Sequence, residues 1–141
     1  MKVNKIMSTS VVSVEMDDTL DVVKEIFDNV HFHHLLVVGD GKLQGVISDR
    51  DMFKALSPNL NTPAETTRDT ATLNKRVHQI MTREVVTLEE NARAYDAVTL
   101  FNRHRISCLP VVDKAFRPVG VISWRDIFKL IETNRERLSN R

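Results

Sequence analysis

An ordered series of matches runs through this chain at one fixed spacing, and nothing else in the sequence constrains the fold as much. Ile6-Met7 recurs as Ile80-Met81, Val11-Val12-Ser13-Val14-Glu15 as Val85-Val86-Thr87-Leu88-Glu89, and Ile26-Phe27 as Leu100-Phe101, each 74 positions on (6 to 80). Leu35 and Val37-Val38 match Leu109 and Val111-Val112 at the same spacing. After an insertion of one residue the spacing becomes 75 (45 to 120), and the run from Gly45 to Lys54 matches the run from Gly120 to Lys129. A repeat of this length is one supersecondary unit used twice. The 141 residues would otherwise suggest one ordinary domain. The repeat divides them into residues 1–56 as repeat 1, 57–79 as linker and lead-in helix, 80–132 as repeat 2, and 133–141 as a C-terminal tail.

Each copy reads β-α-β-β-α. A short β-rich run, Val11 to Val14, precedes a helix whose apolar positions Leu20, Val23, Ile26, Phe27 and Val30 trace one face. In copy two the stripe is Ala94, Ala97, Val98, Leu100 and Phe101, and Asn102 to Arg105 should end the helix, where cations suit its dipole. Leu35 to Val38 and Gly45 to Ile47, around Gly39-Asp40-Gly41-Lys42, read as a hairpin whose continuous apolar strands suggest burial on both faces. Asp113 to Pro118 makes the corresponding turn in copy two, and a second helix opens at Ser48 or Ser123. Ser57 to Thr72 lacks apolar periodicity and reads as a loop or partly disordered linker, with a short lead-in helix over Leu73 to Met81.

Charge and cysteine content narrow the function classes. Twenty Lys plus Arg against nineteen Asp plus Glu leave a net charge of +1, so no overall field draws the chain to nucleic acid or anionic lipid. Any anion site must be local, and the basic Lys75-Arg76 and Arg135 to Arg141 stretches read as solvated faces rather than a DNA-binding surface. Cys108, the single cysteine, excludes an intrachain disulfide and a CxxC metal site. It reads as a small strand residue. No apolar run approaches the eighteen or so residues of a membrane span, and the first residues lack a signal-peptide core, so a cytoplasmic protein without a membrane partner is expected.

One polar constellation survives in both copies: Ser48-Asp49-Arg50-Asp51 and Ser123-Trp124-Arg125-Asp126, each where a strand passes into a helix. As a capping box, the Ser hydroxyl accepts from the N–H three residues on and the Asp carboxylate accepts from the Ser N–H. The same geometry suits a ligand: a helix N-terminus offers N–H donors to phosphate, Arg50 or Arg125 adds a cation, and the carboxylate accepts two ribose hydroxyls. A cap alone does not require Arg between the two in both copies.

Gly-hydrophobic-hydrophobic-Ser-x-Arg-Asp, the Leu109-Pro110-Val111-Val112-Asp113 run and the Ile-Met openings together resemble the CBS domain family, as a tandem pair. The chain is similar to small stand-alone bacterial members of the acetoin-utilisation type. The resemblance implies an α+β fold in which two β-α-β-β-α repeats pack by pseudo-twofold symmetry through their small sheets. It further implies two clefts for adenosine-containing regulatory ligands, AMP, ADP, ATP or S-adenosylmethionine, with no catalytic cofactor and assembly as a homodimer. Carried over by position, Asp51 with Ser48 marks one cleft and Asp126 with Ser123 the other, with Val46 and Val121 flanking the base. Val14 and Thr19, or Leu88 and Arg93, contribute from the opposite copy's first strand and helix start. Copy one departs from the family pattern with Leu36 and Gly39 where copy two has Pro110 and Asp113.

Where relatives often carry basic residues facing phosphate, copy one has His33 and His34 and copy two Ser107 and Cys108, so the two clefts are chemically unequal. Histidine there makes phosphate recognition pH-sensitive; alternatively these are polar residues at a helix end. The three histidines around position 33 lack a carboxylate at metal-ligand spacing, so no metal site is expected. Three functions compete. The leading one is a nucleotide sensor that passes a packing change to an unknown protein target. The second is a structural dimerisation module whose boxes serve only as caps. An enzyme using His33 or His104 lacks a nucleophile, base and orienting group in recognisable spacing, and no catalytic residue is assigned.

Overall fold

The computed structural model describes residues 1–139, and the repeat stands out in it as two three-stranded sheets of the same topology. Repeat 1 supplies β1 (Ser13–Val14), α1 (Leu20–Asn29), β2 (His34–Gly39), β3 (Lys42–Ser48) and α2 (Asp49–Ala55). Then come α3 (Thr67–Ala71) and α4 (Val77–Ile80), followed by β4 (Leu88–Glu89), α5 (Ala94–Arg103), β5 (Cys108–Val112), β6 (Pro118–Ser123) and α6 (Trp124–Ser139). The expected α+β class and the β-α-β-β-α order of each copy are both present. In each sheet the middle strand, β2 or β5, runs parallel to the short first strand and antiparallel to the third.

The hairpin turn between β2 and β3 is legible residue by residue. Asp40 and Gly41 both have positive φ, 52° and 76°, as a two-residue type I′ turn requires. Burial on both faces holds for the middle strands, where Leu35, Leu36 and Val37, and Leu109, Val111 and Val112, are all buried. It does not hold for β3, which alternates buried Leu43, Gly45 and Ile47 with half-exposed neighbours. Lying at the sheet's edge, β3 keeps one face toward its core.

The chain divides into two units that differ from the two sequence repeats. One, the Asp51 unit, is Val12–Val85; the other, the Asp126 unit, joins Met1–Val11 to the residues from Val86 onward. The core of the Asp51 unit contains Val14, Leu20, Val23, Leu35, Val37, Ile47 and Met52, completed by Val77 and Met81 from the segment leading into repeat 2. The core of the Asp126 unit contains Leu88, Ala97, Leu109, Val111, Ile122 and Ile127, completed by Val3 from the segment leading into repeat 1. The lead-ins are therefore exchanged. Each is tied to its host at two equivalent places: Lys2 bridges Arg93 and Ser8 bridges Val121, as Arg76 bridges Thr19 and Thr82 bridges Val46.

Gly45 and Gly120 make room for these segments. A Cβ on Gly45 would stand 2.7 Å from the Thr82 carbonyl oxygen and 3.0 Å from Met81 Sδ, and one on Gly120 would stand 2.5 Å from Met7 Sδ and 2.9 Å from the Ser8 carbonyl oxygen. The repeated Ile-Met and the repeated glycine are thus two halves of one contact.

The linker is more ordered than its composition suggests. Ser57 Oγ donates to Asp69 Oδ1 at 2.7 Å, Thr66 N–H to Asp69 Oδ2 at 2.7 Å, and Ser57 N–H to Thr72 Oγ1 at 3.1 Å. The Ser57 hydroxyl, then the Thr66 N–H, hold the Asp69 carboxyl below its ordinary range. Polar side chains bonding to one another and to backbone, rather than a buried apolar face, organise the segment, so hydrophobic periodicity does not reveal it. The expected lead-in helix over Leu73 to Met81 is a 3₁₀ turn, Thr72–Asn74, and the single turn α4, with Lys75 extended between them. At the other end α6 continues to Ser139 through most of the expected tail; Asn140 and Arg141, the last of the basic stretch, lie outside the described residues.

Candidate functional site

Both Ser-x-x-Asp motifs sit where the third strand of a sheet hands over to a helix, and the structure gives each a cap of different detail. Ser48 Oγ accepts from Asp51 N–H at 3.0 Å while Ser48 N–H donates to Asp51 Oδ2 at 3.0 Å, a complete reciprocal box. At the second corner Asp126 Oδ2 accepts from both Ser123 N–H, at 2.8 Å, and Ser123 Oγ, at 3.2 Å. In each case one carboxylate oxygen is held by serine and the other, Oδ1, has no hydrogen-bond partner among the described residues. Both carboxylates are half-buried, fixed in orientation and able to accept two further hydroxyl donors.

The strand opposite supplies the difference. His34 faces Ser48 across β2 and β3, and Cys108 faces Ser123 across β5 and β6. His33 Nδ1 lies 2.8 Å from Asp49 Oδ2, and the His33 carbonyl accepts from Asp49 N–H at 2.9 Å. The matching bond, Trp124 N–H to the Ser107 carbonyl, is 3.4 Å. Burial depresses the His34 pKa below 6.5, with Asp49 opposing, His33 assisting and Asp51 opposing. The Cys108 thiol is pushed up to about 12 by burial and by the Asp126 charge, so it stays protonated at neutral pH. The side chains around the two corners therefore differ.

The other expected site residues fall into three groups. Arg50 and Arg125 are exposed on the first turn of their helices and make no hydrogen bond or ion pair among the described residues. Val46 and Val121 lie two residues before each corner serine, with their backbones paired to Thr82 and Ser8 of the exchanged segments. Thr19 and Arg93 bridge the same segments at Arg76 and Lys2. Val14 and Leu88 are 4% and 6% exposed, with side chains in the apolar clusters of their own units. Their β-strand alternation was legible, but not which face turned inward.

Asp126 lines a cleft of about 320 Å³ within its own unit, whose other lining residues are not among the expected site residues. Asp126, Lys129, Leu130, Thr133 and Asn134 of α6 line it together with Met1, Lys5 and Ile6 of the exchanged N-terminal segment. The helical positions i, i+3, i+4, i+7 and i+8 place the five α6 residues on one face. Sequence could have offered that signal for α6, though not for Lys5, whose arrival depends on the exchange.

No helix among the described residues is long and apolar enough to cross a membrane, and no group of three or more His, Cys, Asp or Glu is placed to hold a metal ion.

Comparison with known proteins matches these features to one family. The model of the CBS domain matches residues 3–58 and again 77–133, each span including a lead-in segment. A CBS domain-containing protein of Dictyostelium discoideum is 34% identical over 131 residues, which cover 92% of this chain and 90% of that protein. Several longer relatives are enzymes by name, and the chain spans only 21% to 23% of their length. Among solved structures, the CBS domain pair of protein MJ0100, in complex with 5′-methylthioadenosine and S-adenosyl-L-methionine, superposes with a TM-score of 0.78 at 27% identity, over 95% of this chain and 98% of that one. A Vibrio cholerae structure described as an acetoin utilization protein has a TM-score of 0.79 over 100% of this chain and 97% of its own; at 22% identity it speaks for the fold alone. With two family matches spanning most of its length, two like sheets and a Ser–Asp corner on each, this chain belongs to the CBS domain family as a tandem pair.

Proposed function

We propose that this chain is a regulatory module, not a catalyst, that binds an adenine nucleotide or S-adenosylmethionine at its Ser–Asp corners and transmits occupancy to a protein partner in the cytoplasm. The observation that carries the reading is the duplicated carboxylate. Asp51 and Asp126 are each held through one oxygen by a serine and leave the other open, as recognition of a ribose diol needs. The MJ0100 pair, 27% identical, is described with two adenosine-containing ligands, which supports that ligand class. A ligand that binds one arrangement better than another shifts the balance between them by its differential affinity, which suffices for signalling.

Titration calorimetry and thermal unfolding with AMP, ADP, ATP, S-adenosylmethionine and 5′-methylthioadenosine test this. At a hundredfold excess over its Kd a specific ligand adds about 2.7 kcal/mol of stability, and Asp51→Asn and Asp126→Asn should each remove binding at one corner. Absence of any shift at millimolar concentrations of all five sinks the proposal.

A second reading, a ligand-free homodimerisation module, draws on the completeness of the Ser48 box, which satisfies serine and helix without a ligand. It predicts a dimer in sedimentation whose stability is indifferent to every nucleotide.

A further inference from the structure

We propose that the cleft beside Asp126 is a subsite for the phosphate chain of a ribonucleotide, with Lys5 and Lys129 as its cations. This corner would then select phosphorylated over uncharged or sulfonium-bearing adenosine ligands. The proposal rests on the nucleotide reading above and narrows it to one ligand class at one of the two corners.

Lys5 reaches the cleft from the exchanged N-terminal segment and Lys129 from α6, one turn beyond Asp126. Both are exposed, and neither forms an ion pair with a described residue, so two positive charges face a cleft that holds one carboxylate. That carboxylate is already oriented by Ser123, with an oxygen left for hydroxyl donors. Ile6 and Leu130 add apolar wall. A volume of about 320 Å³ is at the small end of small-molecule sites and suits a sugar phosphate better than a larger conjugate. Diol acceptor and lysines thus line one space. S-adenosylmethionine carries a positive sulfonium where a nucleotide carries phosphate, and two lysines oppose it.

The Asp51 unit does not repeat the arrangement. Gln79 takes the register position of Lys5, and its side-chain oxygen accepts from the Arg76 N–H at 2.7 Å. Lys75 Nζ is bonded to the Ala55 carbonyl at 2.8 Å, at the end of α2. Of the two cations, only the counterpart of Lys129, Lys54, remains.

The test is calorimetric titration of the full chain with sodium tripolyphosphate, ATP, adenosine and S-adenosylmethionine, repeated on Lys5→Gln, Lys129→Gln, the double variant and Asp126→Asn. ATP should bind at least about tenfold tighter than adenosine. Each lysine variant should weaken ATP about fivefold, more at low salt, and leave adenosine unchanged. Tripolyphosphate should bind in the same lysine-dependent way. If adenosine ligands bind through Asp126 but ATP shows no advantage and the lysine variants are neutral, the subsite is overturned and the regulatory reading stands. If tripolyphosphate binds through the lysines while no adenosine ligand binds, the phosphate subsite stands and the adenosine reading falls. If nothing binds, both fall.

Discussion

The Ser48–Asp51 and Ser123–Asp126 corners are one backbone device placed in different company. At the first, His33, His34, Asp49 and Asp51 crowd a tightly bonded turn, and the serine completes a reciprocal cap. At the second, Trp124 replaces Asp49, Cys108 replaces His34, the closing bond is longer, and the serine hydroxyl turns to the carboxylate instead of the helix. The first corner concentrates two imidazoles and two carboxylates. The second has a single carboxylate flanked by lysines and opens on a cleft. Both copies keep the Ser–Asp pair and the strand-to-helix corner, while the side chains around it differ.

The most disruptive way to probe the equivalence is through the glycines that seat the exchanged segments. Gly45→Ala and Gly120→Ala should each cost about 1–3 kcal/mol in urea unfolding, by overpacking. Gly45→Ala should be the worse, because its new Cβ meets the Thr82 backbone carbonyl first, whereas at Gly120 the closest atom belongs to the flexible Met7 side chain. A neutral result at both would mean the segments are not seated this closely.

A smaller difference should separate the caps. Ser48→Ala removes an acceptor for a helix N–H and should cost about 1 kcal/mol. Ser123→Ala leaves the Ser123 N–H bond to Asp126 intact and should cost only a few tenths of that. Equal losses would show that the two corners cap alike.

The smallest effect should be a pH dependence confined to the Asp51 unit. The folded His34 pKa lies below its ordinary value, so at mildly acid pH the unfolded chain takes up the proton more readily. The stabilising contribution is complete above about pH 6.5 and is lost as the pH falls through the lowered folded value. His34→Cys, which copies the Cys108 environment, should flatten this part of the profile, since the Cys108 thiol, pushed up to about 12, does not titrate there. A profile unchanged by that substitution would place the pH response elsewhere.

Much of this architecture is legible in the chain itself. The offset of the repeats, the apolar stripes of α1 and α5, the Asp40-Gly41 turn and the two capping serines follow from local spacing and backbone preference. The linker escaped because its order comes from Asp69 and its hydroxyl partners rather than from apolar period. The burial of Val14 and Leu88 was not legible because a two-residue strand carries too short an alternation to show which side faces the core.

Sequence alone thus determined that there are two like units, the β-α-β-β-α order of each, and that each bears a carboxylate at a helix start. Tertiary structure alone decided which lead-in belongs to which sheet, because the Ile-Met pair and the glycine that faces it recur in both copies and local chemistry does not tell the two pairings apart. That choice brings Lys5, near the beginning of the chain, to Lys129 near its end, and so makes the cleft beside Asp126. Local periodicity reports which face of a segment is buried, while the identity of the burying partner is a long-range fact settled only when the whole core closes.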